Sequence, residues 1–251
     1  MPIQKNDVRD VVFLHGWGFS AGVWSELAGR LAPRFHVHVP DLPGYGAAPV
    51  CAPYTLEAMA GAVARAAPPR CQVIGWSLGG QVALAWAKSA SQQVVRLALI
   101  AATPCFTQRA DWPHAVTAEA LDGFMKGIVA DRAGMLRRFI SLQAQGDGKA
   151  KQVARQLRAA HAARNLPALE ALAGGLRILL ESDLRDALGS IRQPVLVMHG
   201  DRDSLVPLEA GDYLSRRLFN ARLLVLRGAA HAPFLSKPEE TSAALRRFFD
   251  E

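Results

Sequence analysis

The chain has no cysteine pattern to build on. Cys51, Cys71 and Cys105 form an odd set with no C-x-x-C and no metal-ligand spacing, which sets aside a disulfide framework and a zinc site and leaves structural thiols. Long apolar runs are missing too. The longest are broken by charges such as Arg96, and residues 1–10 hold no hydrophobic signal segment, so a cytoplasmic protein without a membrane partner is expected. There are no internal repeats and no low-complexity linker in the 251 residues, a length suited to one α/β domain with an insertion. Acid is scarce where base is dense. Between residues 132 and 164 eight cations (Arg132, Arg137, Arg138, Lys149, Lys151, Arg155, Arg158 and Arg164) face the single acid Asp147, a net +7 that equals the formal charge of the whole chain. Such an excess first suggests nucleic acid. No nucleic-acid motif accompanies it, and an acidic protein partner matches it equally well.

What is present is an alternation of strand and helix. Val11-Val12-Phe13-Leu14 reads as a strand buried on both faces of a parallel sheet. A helix over about 21–32, a strand over 35–39, a helix begun at Thr55 and stopped by Pro68-Pro69, a strand over 71–75, a helix over 78–88 and a strand over 94–101 follow. This pattern implies right-handed βαβ units. From 107 to 183 it gives way to helical periodicity with no strand-like run, and it resumes with strands near 194–198 and 222–226 and helices near 207–218 and 238–249. The expected organisation is a mostly parallel sheet with helices on both faces, built from residues 1–106 and 184–251, with a helical cap over 107–183.

The motif that organises the chain is Gly75-Trp76-Ser77-Leu78-Gly79-Gly80, placed where the third strand passes into a helix. G-x-S-x-G at such a junction exposes a serine at a strained turn, where a base can reach it and the first helical N–H groups point at a reacting carbonyl. A plain tight turn lined with small residues is the competing reading. A serine nucleophile needs a base and an orienting acid, and on this sheet they follow beyond later strands in the order serine, acid, histidine. His231 is the only histidine after position 199 and stands just past a strand; it is the candidate base. His15 reads as a turn-stabilising residue, His199 as the end of a strand. Asp201 and Asp203 compete for the acid. Asp203 is preferred because it lies deeper in the loop, ahead of Leu205-Val206-Pro207, while Asp201 reads as bracing the turn or pairing with Arg202. The backbone N–H groups of Leu78 and of Trp17, in His15-Gly16-Trp17-Gly18, are the candidate oxyanion hole.

In the insertion, Lys151, Arg155 and Arg158 share one helical stripe opposite Val153, Leu157 and Ala160, so the helix is expected to pack apolar side down and show a basic face. Met135, Phe139 and Leu142 have the same spacing and read either as a pocket wall or as a core-facing stripe.

With these elements in place the chain resembles the α/β-hydrolases over nearly all its length. Within them it resembles the pimeloyl-acyl-carrier-protein methyl ester esterase family of biotin synthesis, on Gly75-Trp76-Ser77-Leu78-Gly79-Gly80, Pro104-Cys105-Phe106 with Asp111-Trp112-Pro113, Arg138-Phe139 with Leu142-Gln143, Gly174-Gly175-Leu176, and Ala230-His231-Ala232-Pro233-Phe234. The resemblance implies hydrolysis of the methyl ester at the far end of a carrier-bound pimeloyl chain, with release of methanol. It also implies a substrate pocket at Trp17, Phe139 and Gln143 and docking of an acidic acyl-carrier protein on Arg138, Lys151 and Arg155; Arg158, on the same basic stripe, is expected to join that docking face, and serine chemistry of this kind needs no metal or redox cofactor. A monomer is expected. The residues before the first strand are fewer than usual, so the opening hairpin of the fold is expected to be short or partly absent. Fold and triad do not fix a substrate. A general esterase, a lactonase, a carbon–carbon bond hydrolase and a non-catalytic receptor of the same fold remain the alternatives.

Overall fold

The computed structural model of the chain describes residues 8–162 and 167–251. Arg164 of the basic segment, and residues 1–7 where the shortened hairpin would fall, lie outside the described residues. The first half runs β1 (Asp10–Leu14), a 3₁₀ turn (Ala21–Trp24), α1 (Ser25–Leu31), β2 (His36–His38), α2 (Leu56–Ala66), β3 (Cys71–Trp76), α3 (Leu78–Ser89) and β4 (Val94–Ile100). Four helices follow in succession: α4 (Ala118–Ala130), α5 (Arg132–Gln143), α6 (Ala150–Ala162) and α7 (Leu169–Glu181). A 3₁₀ turn (Arg185–Ser190), β5 (Pro194–Gly200), α8 (Leu208–Arg217), β6 (Asn220–Leu226), α9 (Pro233–Ser236) and α10 (Pro238–Asp250) complete the chain.

The six strands form one sheet in the order β2-β1-β3-β4-β5-β6, and every pairing among them is parallel. Successive strand side chains point to opposite faces, and two cores result. Val12, Leu14, Val73, Leu97, Leu99, Val195 and Val197 belong to one core, with α2, α3 and α8 over them. Val11, Phe13, Ile74, Trp76, Ala98, Ile100, Leu196 and Met198 belong to the other, which α1 and α10 cover. Strands buried on both sides explain the continuous apolar runs of the sequence.

Some local expectations shift. The helix expected over 21–32 begins as a 3₁₀ turn, with the Ala21 N–H taken by Asp41 Oδ1 at 2.7 Å. The strand expected over 35–39 shortens to three residues at the sheet edge, where His36 is exposed and Pro40 offers no donor. Thr55 caps α2 through the Ala58 N–H at 3.2 Å. The four-residue α9, which the sequence reading missed, starts with Pro at its first position, where the absent N–H costs nothing.

The helical insertion leaves and returns at one place, for Cys105 and Asp183 form an isolated antiparallel bridge and the Leu184 N–H donates to Pro104 O at 2.9 Å. Its helices divide between the two cores. Leu121, Ile128, Leu172, Leu176 and Leu179 of α4 and α7 join the core under α2 and α3, whereas Val153 and Leu157 of α6 join the core that holds Val23, Trp24 and Phe234. Each such buried aliphatic side chain contributes about 1.5–3 kcal/mol, so α6 is fastened to the sheet side of the molecule. The helix α5 straddles the divide, with Leu136 in the first core and Ile140 in the second. Among the described residues no helix is long and apolar enough to cross a membrane.

Candidate active site

The strand β3, buried along its whole length, delivers Ser77 at the carboxyl edge of the sheet. The Ser77 N–H donates to Ile100 O of β4 at 3.1 Å, and its carbonyl accepts from Gly80 N–H at 2.8 Å as α3 begins. Between these anchors the residue has φ +55° and ψ −119°, a conformation that costs an L-residue of order 1–3 kcal/mol. The turn also presses α3 against β1. A Cβ on Gly79 would run into the Leu14 carbonyl, which accounts for the glycine.

The loop after β1 passes beside the serine. A Cβ on Gly16 would lie 3.3 Å from Ser77 Cβ, so Trp17 comes next to the nucleophile candidate. Neither the Trp17 N–H nor the Leu78 N–H has an acceptor among the described residues. The Trp17 ring is pinned by Nε1–H donation to Leu172 O at 2.9 Å and by an edge contact with Phe139 at 4.9 Å between centroids. His15, one step earlier, closes the turn: it bonds Gly16 O through Nδ1 and accepts the Leu42 N–H through Nε2, each at 2.9 Å. Those partners require Nδ1 to carry the proton.

The loops after β5 and β6 meet at Asp203 and His231. Asp203 and His231 are both buried, and Asp203 Oδ2 lies 2.7 Å from His231 Nδ1. The other Asp203 oxygen accepts the Leu205 and Val206 N–H groups, both at 2.9 Å. Asp201 turns away and takes the Gly228 N–H at 2.6 Å, bracing the histidine loop from below and making no ion pair with Arg202 among the described residues. His231 is joined to the elbow through its carbonyl, which accepts Trp76 Nε1–H at 2.7 Å. Ser77 Oγ makes no hydrogen bond among the described residues.

His199 is a partner the sequence did not reveal. Fully buried at the end of β5, it sits 3.6 Å from Asp203 Oδ2 through Nε2, which donates to Val206 O at 2.8 Å. The only signal was its place four residues before Asp203. Burial holds both His15 and His199 below the ordinary histidine range, His15 down to about 4. The unfolded chain binds these protons near pH 6.5 and the folded chain only at lower pH, so between those values the unfolded state carries more protons and is favoured as pH falls. His15 alone should withdraw about 3 kcal/mol by pH 4. The urea midpoint is therefore expected to drop steadily from pH 7 to pH 4.5. A midpoint unchanged over that range would mean that the two rings are not held neutral.

A cavity of about 420 Å³ opens beside these groups. Trp17 of the loop after β1, Leu205 of the loop after β5, and Phe124, Met135, Phe139 and Leu142 of the insertion line it; the stripe of Met135, Phe139 and Leu142 is a pocket wall. Gln143 does not line it. That side chain is buried, its backbone carbonyl accepts the His231 N–H at 3.3 Å, and its Oε1 has no partner among the described residues. A wider groove of about 850 Å³ runs between α5 and α6, lined by Arg138, Leu142, Gln145, Lys151, Arg155 and Arg158 among others. Arg138 and Leu142 border both hollows. Lys151, Arg155 and Arg158 are exposed, opposite the buried Val153 and Leu157. Among the described residues no cluster of three or more histidine, cysteine or acidic side chains is placed to hold a metal.

Comparison with known proteins places the chain in a family. The profile of the Alpha/beta hydrolase family matches residues 11–244. A pimeloyl-[acyl-carrier protein] methyl ester esterase of Nitrosomonas europaea is 42% identical over 231 residues, 92% of each chain. One of the same name from Aromatoleum aromaticum is 42% identical over 241 residues, covering 94% of this chain and 96% of its own. Among solved structures, an esterase from Exiguobacterium antarcticum superposes with a TM-score of 0.87 at 25% identity, over 97% of this chain and 92% of that one.

Proposed function

Since the chain belongs to the alpha/beta hydrolase family, and within it to the pimeloyl-[acyl-carrier protein] methyl ester esterases, we propose that it hydrolyses the methyl ester of pimeloyl-acyl-carrier protein, in biotin synthesis, with Ser77, Asp203 and His231 as its catalytic triad. Ser77 Oγ attacks the ester carbonyl carbon while His231 takes its proton. The Trp17 and Leu78 N–H groups receive the oxyanion, and Asp203, bonded to His231 Nδ1, keeps the tautomer and steadies the imidazolium. Collapse expels methanol, protonated by His231. Water, deprotonated by the same imidazole, then attacks the acyl-enzyme and frees the carboxylic acid and Ser77. The chemistry uses only side chains and backbone, with no cofactor. The reading takes the protein to act as a monomer in the cytoplasm, with neither nucleic acid nor membrane as partner.

The observation that carries the substrate is the shared wall. A carrier protein presents its acyl chain on a long arm, so its acidic body must rest outside while the ester lies deep. The apolar cavity beside Trp17 and the basic groove over α6 meet at Arg138 and Leu142, which suits an arm passing from one to the other. A lactonase or carbon–carbon bond hydrolase of this fold has no use for such a groove. Methanol release from the carrier-bound methyl ester is therefore expected to fall by about 10- to 100-fold in kcat/KM when Lys151, Arg155 and Arg158 are all changed to Glu, because charge steering of this kind acts on association. The loss should shrink as salt rises, and hydrolysis of a small free ester should hardly change. Equal loss on both substrates, or none on either, would remove the groove as the docking face, and failure of the parent enzyme to release methanol from the carrier-bound ester would remove that ester as its substrate.

A further inference from the structure

The loop that carries His231 is held from the insertion as well as from the sheet and its loops. The end of α5 and the turn before α6 make three hydrogen bonds to it. Gln143 O accepts the His231 N–H at 3.3 Å, Asp147 Oδ2 accepts the Ala230 N–H at 2.9 Å, and the Gly148 N–H donates to Gly228 O at 2.8 Å. The N–H groups of Ala230 and His231, the residue before the imidazole and the imidazole-bearing residue itself, thus find their acceptors only in the insertion. Asp147 is the one acid among the basic residues of 132–164. It is buried, and its second oxygen takes the Lys149 N–H at 2.7 Å as α6 begins. A carboxylate with one oxygen on the start of the groove-lining helix and the other on the histidine loop ties the two together.

From this we infer that Asp147 is a positioning residue for His231: the insertion, and not the sheet alone, sets where the base stands. The inference rests on the reading of His231 as the base. Ala230 is buried, so without Asp147 its N–H has no water to turn to, and the loop must rotate to find another acceptor. A shift of the imidazole by about 1 Å is enough to cost on the order of 100-fold in rate. The carboxylate has two acceptor oxygens for two N–H donors. An asparagine in its place keeps the shape but turns an N–H₂ group toward one of them.

The test compares Asp147→Asn and Asp147→Ala with the parent on a small free ester, which does not need the groove. Both variants are expected to lose about 10- to 100-fold in kcat with KM within about twofold, the alanine variant losing more, and labelling of Ser77 by a fluorophosphonate should slow by the same factor. A role confined to capping α6 would lower the melting temperature and leave kcat and labelling alone. That outcome, or a change in KM only, overturns the inference. Where Asp147→Ala fails to fold, the near-isosteric Asp147→Asn decides. His231→Ala is assayed alongside: if it keeps activity, the reading of the base falls, and if it is inactive while Asp147→Asn is normal, only the positioning role falls.

Discussion

Ser77→Ala is expected to abolish ester hydrolysis, by about 10⁴-fold or more in kcat, while the variant melts with the parent. Both halves of that expectation come from the elbow. The hydroxyl is the group that forms and breaks the acyl bond, and members of a triad act as a unit, so removal of one forfeits nearly all that the three supply together. Stability should hold because the strain at φ +55° belongs to the backbone and Cβ, which alanine retains, and because Oγ makes no hydrogen bond that folding depends on. The anchors to Ile100 O and from Gly80 N–H are main-chain bonds and survive the change. Turnover by the purified variant, measured on the carrier-bound methyl ester and on a small ester, decides the matter. Near-normal rates on either substrate would take Ser77 out of the mechanism.

The second large effect separates two neighbouring carboxylates. Asp203→Asn should lower kcat by about 10⁴-fold, because an amide that turns its N–H₂ group toward His231 favours the tautomer with the proton on the wrong nitrogen. Oδ1 of Asp203 already serves the Leu205 and Val206 N–H groups, so the asparagine carbonyl is held there and the NH₂ is driven onto the imidazole. Asp201→Asn meets a different fate. Its one contact of consequence is the Gly228 N–H, which an amide oxygen can accept as well, and a loss of no more than a few fold is expected. Parallel kinetics on the two variants test the assignment, and a reversed order of losses would move the acid to Asp201.

Much of this was legible in the residues. The apolar runs around Val11, Val73, Leu97 and Val195 announced a parallel sheet because strands buried on both faces have no polar alternation to confuse them. The elbow was readable because its steric demands are local, as the collision awaiting any Cβ on Gly79 makes plain. Asp203 was preferred to Asp201 for its place in the loop, and the structure sets it against His231. Contacts between segments far apart in sequence were another matter. Nothing at Asp147 predicted a bond to Ala230, 83 residues on, and nothing at His199 marked it as a neighbour of the Asp203 carboxylate beyond its closeness in number. Gln143 was placed in the pocket by the family resemblance, yet it stands one residue past the stripe that lines the cavity and its carbonyl holds His231. Periodicity describes a face, and a buried polar group is defined by what lies opposite it.

The division of the inserted helices between the two cores also governs how the molecule comes apart. With Val153 and Leu157 buried among Trp24 and Phe234, while α4 and α7 pack on one another and place Leu172 and Leu176 in the other core, the insertion is divided between two interiors and is not expected to melt as one piece. Amide protons in α6 are expected to exchange with the timing of α1 and α10, and those in α4 and α7 with one another, the break between the two regimes running along α5. Local opening is therefore expected to divide the insertion along α5, and the α6 wall of the basic groove moves with the half of the molecule that holds Trp76 and Phe234.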